Sequence, residues 1–295
     1  MNNRYDVIVV GARCAGSPTA MLLARKGYRV LMVDRATFPS DAISTHVVQP
    51  NGVNALARWG LLERLVATGC PPIHTYAFDF GPLTITGSPG TAESPVSYCP
   101  RRLVLDKILV DAALEAGVRV REGFTVSEVL TERGRVVGIK GRTNAGESVS
   151  EFAQVVVGAD GWRSVIAKAM RPEQYNEKPA LQVVYYSYWS GLPMDGRFEI
   201  FIRPNRGFAA VPTHDGQTLV IAGWPIAEID EAKGDIERSF EKSIALAPAF
   251  GERFRRAPAD ARPSPHRMHA ARSRPHRARR HSSPRRETHP ESLVR

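Results

Sequence analysis

The first thirty-five residues constrain the fold of this chain more than any other stretch. An apolar run of strand length, Tyr5–Val10, ends at Gly11, and apolar residues at helical spacing then run from Gly16 to Gly27. A second apolar run follows and ends in an acid, Asp34. Strand, glycine turn, helix, strand and acid in this order are typical of a βαβ unit that binds a dinucleotide. The sequence therefore predicts an α/β fold.

Each part of this unit has a physical role in holding a dinucleotide. Gly11 lets the chain turn sharply out of the strand, and Gly16 lets the helix pack closely on the sheet. The helix N-terminus offers free N–H groups to a pyrophosphate, and Asp34 can accept hydrogen bonds from a ribose. Arg13 replaces the middle glycine of the usual fingerprint, and an ordinary strand-to-helix turn is the alternative. The candidate contact residues are Gly11, Ala12, Arg13, Cys14, Ala15, Gly16, Asp34 and Arg35.

A second acid follows another predicted buried strand. The apolar run 155–157 leads into Gly158-Ala-Asp160-Gly161, so Asp160 is expected at the carboxyl end of a strand. Open α/β sheets bind their ligands at this end, so Asp160 and Gly161 are candidate ligand-binding residues. The alternative is a strand-to-helix turn in which Asp160 only caps the helix.

Two further candidate positions, one arginine and one loop of three residues, carry weaker signals on their own. Arg102 opens a predicted helix that runs to Gly117, and an arginine at such a position is usually solvated. Ser44, Thr45 and His46 lie in a polar loop, where a histidine is more often exposed or structural than catalytic.

The remaining pattern predicts two groups of antiparallel strands. A hairpin is expected over residues 125–131 and 136–142, and residues 148–154 complete a small meander. Beyond residue 180, turn residues separate four alternating runs, which indicates an antiparallel sheet. These runs are residues 181–189, 197–202, 208–211 and 218–223, and a helix over residues 236–247 follows them.

Three of these stretches together resemble one family. The opening unit with Asp34, the Arg102-x-x-Leu-Asp106 stretch and the Asp160-Gly161 turn resemble the FAD-dependent monooxygenases and reductases of the para-hydroxybenzoate hydroxylase fold, including geranylgeranyl reductase-like proteins. The resemblance covers residues 4 to about 255. It implies that the opening unit holds the ADP half of FAD, that Arg102 lies against the flavin nucleotide, and that Asp160 touches the pyrophosphate. Arginine at position 13 resembles one branch of the family, and the loop around His46 borders the flavin ring or substrate in such proteins.

The resemblance also implies how the chain is divided. We expect a Rossmann-like FAD-binding domain with a parallel sheet, made of residues 1–72 and 101–175. An inserted substrate domain with an antiparallel sheet would take residues 73–100 and 176–255. Residues 256–295 would form a disordered tail rich in arginine and proline.

The function implied by the resemblance is that of an FAD-dependent oxidoreductase. The first expectation is a flavin monooxygenase that uses NADPH or NADH as a transient reductant and O2 on a small-molecule substrate. The alternatives are a flavin-dependent reductase of a carbon–carbon double bond and an inactive truncated product that keeps only the ADP-binding half. We assign no side chain as nucleophile or general base, because the flavin carries the chemistry.

The last 39 residues differ in character from the rest. They contain ten arginines and three acids, which is +7 of the formal charge of +10, and they lack lysine, glycine and aromatic residues. The family carries a Gly-Asp motif that seats the flavin ring after the antiparallel sheet, and no such pair follows Gly234-Asp235. We therefore hypothesise a frameshift near residues 255–260. The alternative is a basic arm that binds nucleic acid, which we do not favour because no aromatic residue is available for stacking.

Cysteine usage and hydropathy bear on the compartment. Three cysteines without metal-ligand spacing predict no metal site and fit a reducing environment. No stretch approaches the about 18 consecutive apolar residues of a membrane-spanning helix. The chain enters a predicted core strand at Tyr5, which leaves no room for a signal peptide. We expect a cytoplasmic protein.

Overall fold

The structure is a computed structural model that describes residues 4–42, 44, 46–173, 181–230 and 235–257, together with the backbone of residues 269–273. Its strands are β1 (Tyr5–Val10), β2 (Val30–Val33), β3 (Pro72–Ile73), β4 (Thr75–Asp79), β5 (Thr84–Gly87), β6 (Ser97–Tyr98), β7 (Arg119–Arg121), β8 (Phe124–Glu132), β9 (Arg135–Thr143), β10 (Ser148–Gly158), β11 (Gln182–Trp189), β12 (Arg197–Arg203), β13 (Arg206–Pro212), β14 (Thr218–Pro225) and β15 (His269–Ser273). Its helices are α1 (Gly16–Ala24), α2 (Pro50–Trp59), α3 (Leu62–Val66), α4 (Arg102–Glu115), α5 (Val165–Met170), α6 (Ile236–Ile244) and α7 (Pro248–Arg256).

The N-terminal sheet has the order β7-β2-β1-β10-β9-β8. Strands β7, β2, β1 and β10 run parallel, and β9 and β8 continue the sheet as antiparallel strands. Along β1, Val7 and Val9 pack on the side of α1 and α4, whereas Ile8 and Val10 pack on the opposite side with Ile166 of α5. A parallel sheet is normally covered on both faces, which is why Val7–Val10 of β1 are all apolar and buried. The predicted α/β class with a parallel sheet is confirmed.

Strand β10 corrects one sequence-based prediction. Residues 148–154 and 155–157 were expected as two separate strands, but they form one continuous strand because no turn residue lies between them. Its first half pairs antiparallel with β9, and its second half pairs parallel with β1, ending with Gly158 opposite Val10. The prediction of a buried strand also fails at Val155, which is 51% exposed. The continuous strand brings the turn after Gly158 beside the end of β1.

The second sheet has the order β15-β11-β14-β13-β12-β4-β5. The four predicted strands are present as β11 to β14, and β4 pairs with β12 in parallel while the other neighbours are antiparallel. Helices α6 and α7 cover one face, where Phe240 and Phe250 pack with Trp224. Full burial of one such aromatic side chain stabilises a fold by about 1.5–3 kcal/mol. The predicted separate antiparallel sheet is confirmed, while the domain boundaries stay a prediction.

The stretch expected to be a tail is described only in part. Arg256 ends α7 and Ala257 is buried, so regular structure extends to the start of that stretch. His269–Ser273 forms β15, which pairs antiparallel with β11 from Tyr186 to Gln182. An edge strand offers unpaired N–H and C=O groups to any extended segment, so this pairing needs no apolar pattern. Of the expected tail, the structure thus describes only Arg256, Ala257 and the backbone of these five residues; residues 258–268 and 274–295 lie outside the described part.

Candidate functional site

The glycine turn, residues 11–16, links the end of β1 to the start of α1. Gly11 has a φ of +103°, and a Cβ there would lie 2.4 Å from the carbonyl oxygen of Ala159. At Gly16 a Cβ would lie 1.7 Å from the carbonyl oxygen of Gly11. Both positions therefore require glycine because backbone atoms of β1, α1 and the turn after β10 approach one another closely. Ala15 is the N-cap of α1, so the free N–H groups of the first helical turn lie beside this turn.

Asp34 lies at the end of β2 and ties the glycine turn to the next loop. Its Oδ2 accepts a hydrogen bond of 2.7 Å from the backbone N–H of Ala12, and its Oδ1 accepts one of 2.8 Å from Ala36. Each carboxylate oxygen can accept more than one hydrogen bond, so the half-buried side chain retains acceptor capacity for a ribose hydroxyl. Arg35 is exposed next to it.

The turn after β10 places a second acid beside the glycine turn. The backbone N–H of Ala159 donates to the Val10 carbonyl at 2.8 Å, which joins the two turns. The Oδ2 atom of Asp160 accepts from the N–H of Val165 at 2.6 Å, at the start of α5. Its Oδ1 atom is buried and has no hydrogen-bond partner among the described residues. Gly161 follows with a φ of +76°, which lets the chain leave the strand without a side chain in the way.

The Arg13 side chain is held by hydrogen bonds to Asp106 and Ser40. Its Nη1 donates to Asp106 Oδ2 at 2.6 Å and its Nη2 to Ser40 Oγ at 2.8 Å. Arg102 donates to the same carboxylate through Nε at 3.0 Å and Nη2 at 2.9 Å. Asp106 is fully buried, so one carboxylate holds two guanidinium groups at the glycine turn. Two cations on one anion leave an excess positive charge, which suits a phosphate group.

Asp106 belongs to the Arg102-x-x-Leu-Asp106 stretch, but its place as the shared partner of two arginines was not predicted from the sequence. It lies four residues after Arg102 on α4, and this spacing is the signal that could have identified a pair. The contact with Arg13 crosses 93 residues and leaves no local pattern. Cys14 also contacts Asp106, with Sγ 3.4 Å from Oδ1. Desolvation and the nearby carboxylate raise the pKa of the Cys14 thiol to about 11, so it stays protonated at neutral pH.

His46 lies in the loop between β2 and α2 and is only 4% exposed. Its Nδ1 is 2.6 Å from the Ser44 carbonyl oxygen, which can only accept, so Nδ1 carries the proton. The Tyr188 hydroxyl then donates to Nε2 at 2.7 Å. Burial lowers the pKa of His46 to about 4, so the ring is neutral at physiological pH. Thr45, the third candidate of this loop, lies outside the described residues.

We call Arg101, His46, Tyr186 and Tyr188 the boundary cluster, because they join the loop after β2, strand β11 and the start of α4. The His46 ring lies edge-on to both tyrosines, with centroids 5.2 Å from Tyr186 and 5.9 Å from Tyr188. The Arg101 guanidinium lies 4.9 Å over the Tyr188 ring. The positive charges of Arg102 and Arg101 add to the lowering of the His46 pKa. Arg102 is therefore close to both the glycine turn and the boundary cluster.

Two other kinds of feature are absent from the described residues. Within this part of the chain, no group of three or more His, Cys, Asp or Glu side chains is placed to hold a metal ion. Nor does any described helix combine the length and the apolar character that crossing a membrane requires.

Comparison with known proteins gives a consistent set of relatives. A family model described as an FAD binding domain matches residues 4–274. Digeranylgeranylglycerophospholipid reductase 2 of Methanothermobacter thermautotrophicus is 34% identical over 168 residues, or 56% of this chain and 41% of the reductase. Squalene epoxidase 2 of Arabidopsis thaliana is 31% identical over 170 residues, 56% of this chain and 29% of the epoxidase.

A solved structure extends the similarity over most of the chain. The myxobacterial chondrochloren halogenase CndH, an FAD-dependent halogenase, superimposes with a TM-score of 0.81 at 25% identity, covering 92% of this chain and 64% of the halogenase. The chain spans 29–41% of the length of the two curated relatives above. The family model, which matches residues 4–274, covers the glycine turn and the sheet that carries it.

Proposed function

The chain belongs to the FAD-binding domain family, and from this premise we propose that it binds FAD and acts as a monooxygenase that uses NADPH or NADH and O2 on a small organic substrate. One observation carries the proposal. The buried Oδ1 of Asp160 lacks a hydrogen-bond partner among the described residues, and it lies at the turn that packs against Gly11. A buried acceptor without a partner costs free energy, and a bound cofactor at this sheet end would supply the donor.

The other residues at this end of the sheet fit the same cofactor. Gly11 and Gly16 allow the close backbone packing that forms the turn, and the N–H groups at the start of α1 are available to a pyrophosphate. Asp34 is placed to accept from the adenosine ribose. Arg102, held by Asp106, brings positive charge to the phosphates or the flavin nucleotide. These residues bind and orient the cofactor.

The flavin would supply the redox chemistry, by transfer of electrons between a nicotinamide and oxygen or substrate. The chain's own contribution is to hold the FAD between the N-terminal sheet and the boundary cluster and to exclude water there. His46, neutral and bonded at both ring nitrogens, links Ser44 of the loop after β2 to Tyr188 of β11. The free cysteines fit our further proposal that the protein works in the reducing cytoplasm.

A flavin-dependent reductase of a carbon–carbon double bond is the second candidate. The 34% identity to an archaeal reductase named for a geranylgeranylated lipid supports it. The two candidates differ in their use of oxygen, because a monooxygenase consumes O2 in turnover whereas such a reductase turns over without it.

The test begins with FAD binding by the full chain. We expect the purified protein to take up FAD with its characteristic yellow absorbance and to oxidise NADPH or NADH. A variant with Asp160→Ala should bind FAD more weakly, while Asp111→Ala, in the exposed pair with Lys107 on α4, serves as the matched control. Absence of FAD uptake by the unmodified chain would contradict the proposal and favour an inactive product.

The second step separates the two candidates. Oxygen uptake by the NADPH-reduced protein is measured with and without a panel of small organic substrates. Substrate-dependent O2 consumption supports the monooxygenase. NADPH oxidation that requires an alkene and proceeds under anaerobic conditions supports the reductase instead.

A further inference from the structure

We propose that this chain forms a symmetric dimer in which β5 pairs antiparallel with β5 of a second copy. Strand β5, Thr84–Gly87, is the last strand of the second sheet, and β4 is its neighbour on one side. Within the described residues no strand lies on its other side, and all four of its residues are exposed. The inference goes beyond the proposed function, since it depends neither on FAD nor on a substrate.

The hydrogen bonds of the β4–β5 hairpin determine which backbone groups of β5 face outward. The N–H of Phe80 donates to the Leu83 carbonyl at 2.8 Å, so the Leu83 carbonyl points toward β4. Backbone groups alternate in direction along a strand, so those of Ile85 point toward β4 as well. The N–H and C=O groups of Thr84 and Thr86 therefore point away from the sheet, where they are available to another strand.

The sequence of β5 is complementary to itself when two copies run antiparallel. With Ile85 opposite the partner's Ile85 on the two-fold axis, Thr84 lies opposite the partner's Thr86. Each such threonine pair exchanges two backbone hydrogen bonds, and these use the groups that point outward. Ile85 then falls in a non-hydrogen-bonded pair, the position at which side chains of antiparallel strands come closest. A two-fold arrangement of this kind closes at two copies.

The apolar side chains beside this edge lie on one face of the sheet. Ile85 pairs with Phe78, and Leu83 pairs with Phe80 through the hairpin bond, so alternation places all four on the same face. Ile85 is 54% exposed, Leu83 59% and Phe80 42%. In the dimer, Leu83 lies opposite the partner's Gly87, which leaves space for it beside the partner's Ile85. Pairing therefore buries apolar surface in addition to satisfying backbone groups.

The charge pattern favours a second copy at this edge. The chain has a formal charge of +10, so two copies repel each other over most of their surface. Residues 81–92 contain no charged side chain. Edge strands that stay unpaired are usually protected by charges or by proline within the strand, and β5 contains neither. Pro82 and Pro89 flank β5 instead, and their missing N–H groups confine the pairing to the residues between them.

The oligomeric state of the full chain is measured by sedimentation equilibrium. A strand pair this short makes an interface below about 1,200 Å², so we expect a reversible dimer with a dissociation constant of about 1–100 µM. Thr86→Pro should be monomeric across that range, because proline removes an outward N–H and leaves the hydrogen bonds to β4 intact. Its melting temperature should match that of the unmodified chain at low concentration.

A pair of opposite charges tests the register itself. Ile85→Lys and Ile85→Glu should each be monomeric, because like charges then face each other across the two-fold axis. Mixed in equal amounts, the two variants should form a heterodimer, a result that damage to the fold does not produce. Ile202→Lys, on the exposed part of β12 two strands from the edge, is the matched control and should dimerise like the unmodified chain.

Several outcomes would overturn the inference. One is an unmodified chain that stays monomeric at about 100 µM. Another is a mixture of the two Ile85 variants that fails to associate, or a dimer that persists in Thr86→Pro. A dimer that only Ile202→Lys dissociates would place the contact on the apolar face rather than at the edge. Adsorption of the unmodified chain to phosphatidylcholine vesicles without self-association would assign that face to a membrane. FAD uptake tests the proposed function separately and leaves the dimer result unaffected.

Discussion

The glycine turn and the boundary cluster are built in different ways. The glycine turn relies on backbone atoms: Gly11 and Gly16 are there because a side chain would collide with carbonyl oxygens. The boundary cluster relies on side chains, since His46 and Tyr188 meet across 142 residues of sequence. A backbone site tolerates few residue types and leaves a short pattern in the sequence, whereas a side-chain site can be assembled from any parts of the chain that the fold brings together.

Substitution of Asp106, which links the glycine turn to the start of α4, should give the largest change in the free energy of unfolding. Asp106→Asn removes the charge that holds both Arg13 and Arg102 while nearly preserving the shape of the side chain. Breaking a buried ion pair by removing one partner costs about 3–5 kcal/mol, so we expect the free energy of unfolding in urea to fall by that amount. FAD affinity should fall as well, because Arg102 loses its anchor.

The matched control lies one turn along the same helix. Lys107 and Asp111 form a pair with the same spacing, but both side chains are exposed. Asp111→Asn should therefore change the free energy of unfolding by only about 0–1 kcal/mol. Equal small effects of the two substitutions would mean that the Asp106 pairs do not join the two regions.

The stability contributed by the boundary cluster should depend on pH, because the cluster contains His46. The folded pKa of His46 is about 4, below the ordinary value of 6.5, so the unfolded chain binds more protons between these two values. The free energy of unfolding should therefore be highest above about pH 6.5 and fall by about 3 kcal/mol as the pH is lowered to about 4. His46→Asn should flatten this dependence in urea titrations, because asparagine tolerates the φ of +63° but does not titrate.

Two other histidines serve as comparisons for the pH dependence assigned to His46. The pKa of His214 is also lowered by burial, so part of the slope should remain in His46→Asn. His74 is exposed, and His74→Asn is the control for the histidine-to-asparagine substitution itself. A full slope in His46→Asn would show that His46 is not held neutral by its position between Ser44 and Tyr188.

How much of the molecule could be predicted from the sequence follows from the same contrast. The α/β class, the parallel strands around β1 and the four strands β11 to β14 were predictable, because periodicity and turn residues are local. The sequence-based prediction divided β10 into two strands. In the structure it is one strand that pairs first with β9 and then with β1, and hydropathy does not record which neighbour a strand has. Tertiary pairing, rather than local preference, decides such boundaries.

The candidate site divides in the same way. Asp34 and Asp160 were identifiable because each acid directly follows a strand, and the geometry of the strand end fixes where its side chain lies. Asp106 could be suspected from its spacing to Arg102, but its burial depends on Arg13, 93 residues away. Arg101 gave no signal, because an unsatisfied donor is a property of the packed structure. The sequence therefore predicts the backbone part of a site better than its side-chain part.

The glycine turn itself should show its clearest effect on FAD binding, together with a loss of stability. In Gly16→Ala a Cβ would lie 1.7 Å from the backbone oxygen of Gly11, so the backbone of the glycine turn and of α1 must move apart. Overpacking of this kind costs about 1–3 kcal/mol in the free energy of unfolding, and FAD affinity should drop about tenfold or more as the turn opens. Gly87→Ala on β5, where a Cβ meets nothing within 4 Å, is the control and should match the unmodified chain in both measurements. If Gly16→Ala bound FAD normally, the turn would not be the backbone site that its packing indicates, and the contrast with the boundary cluster would be lost.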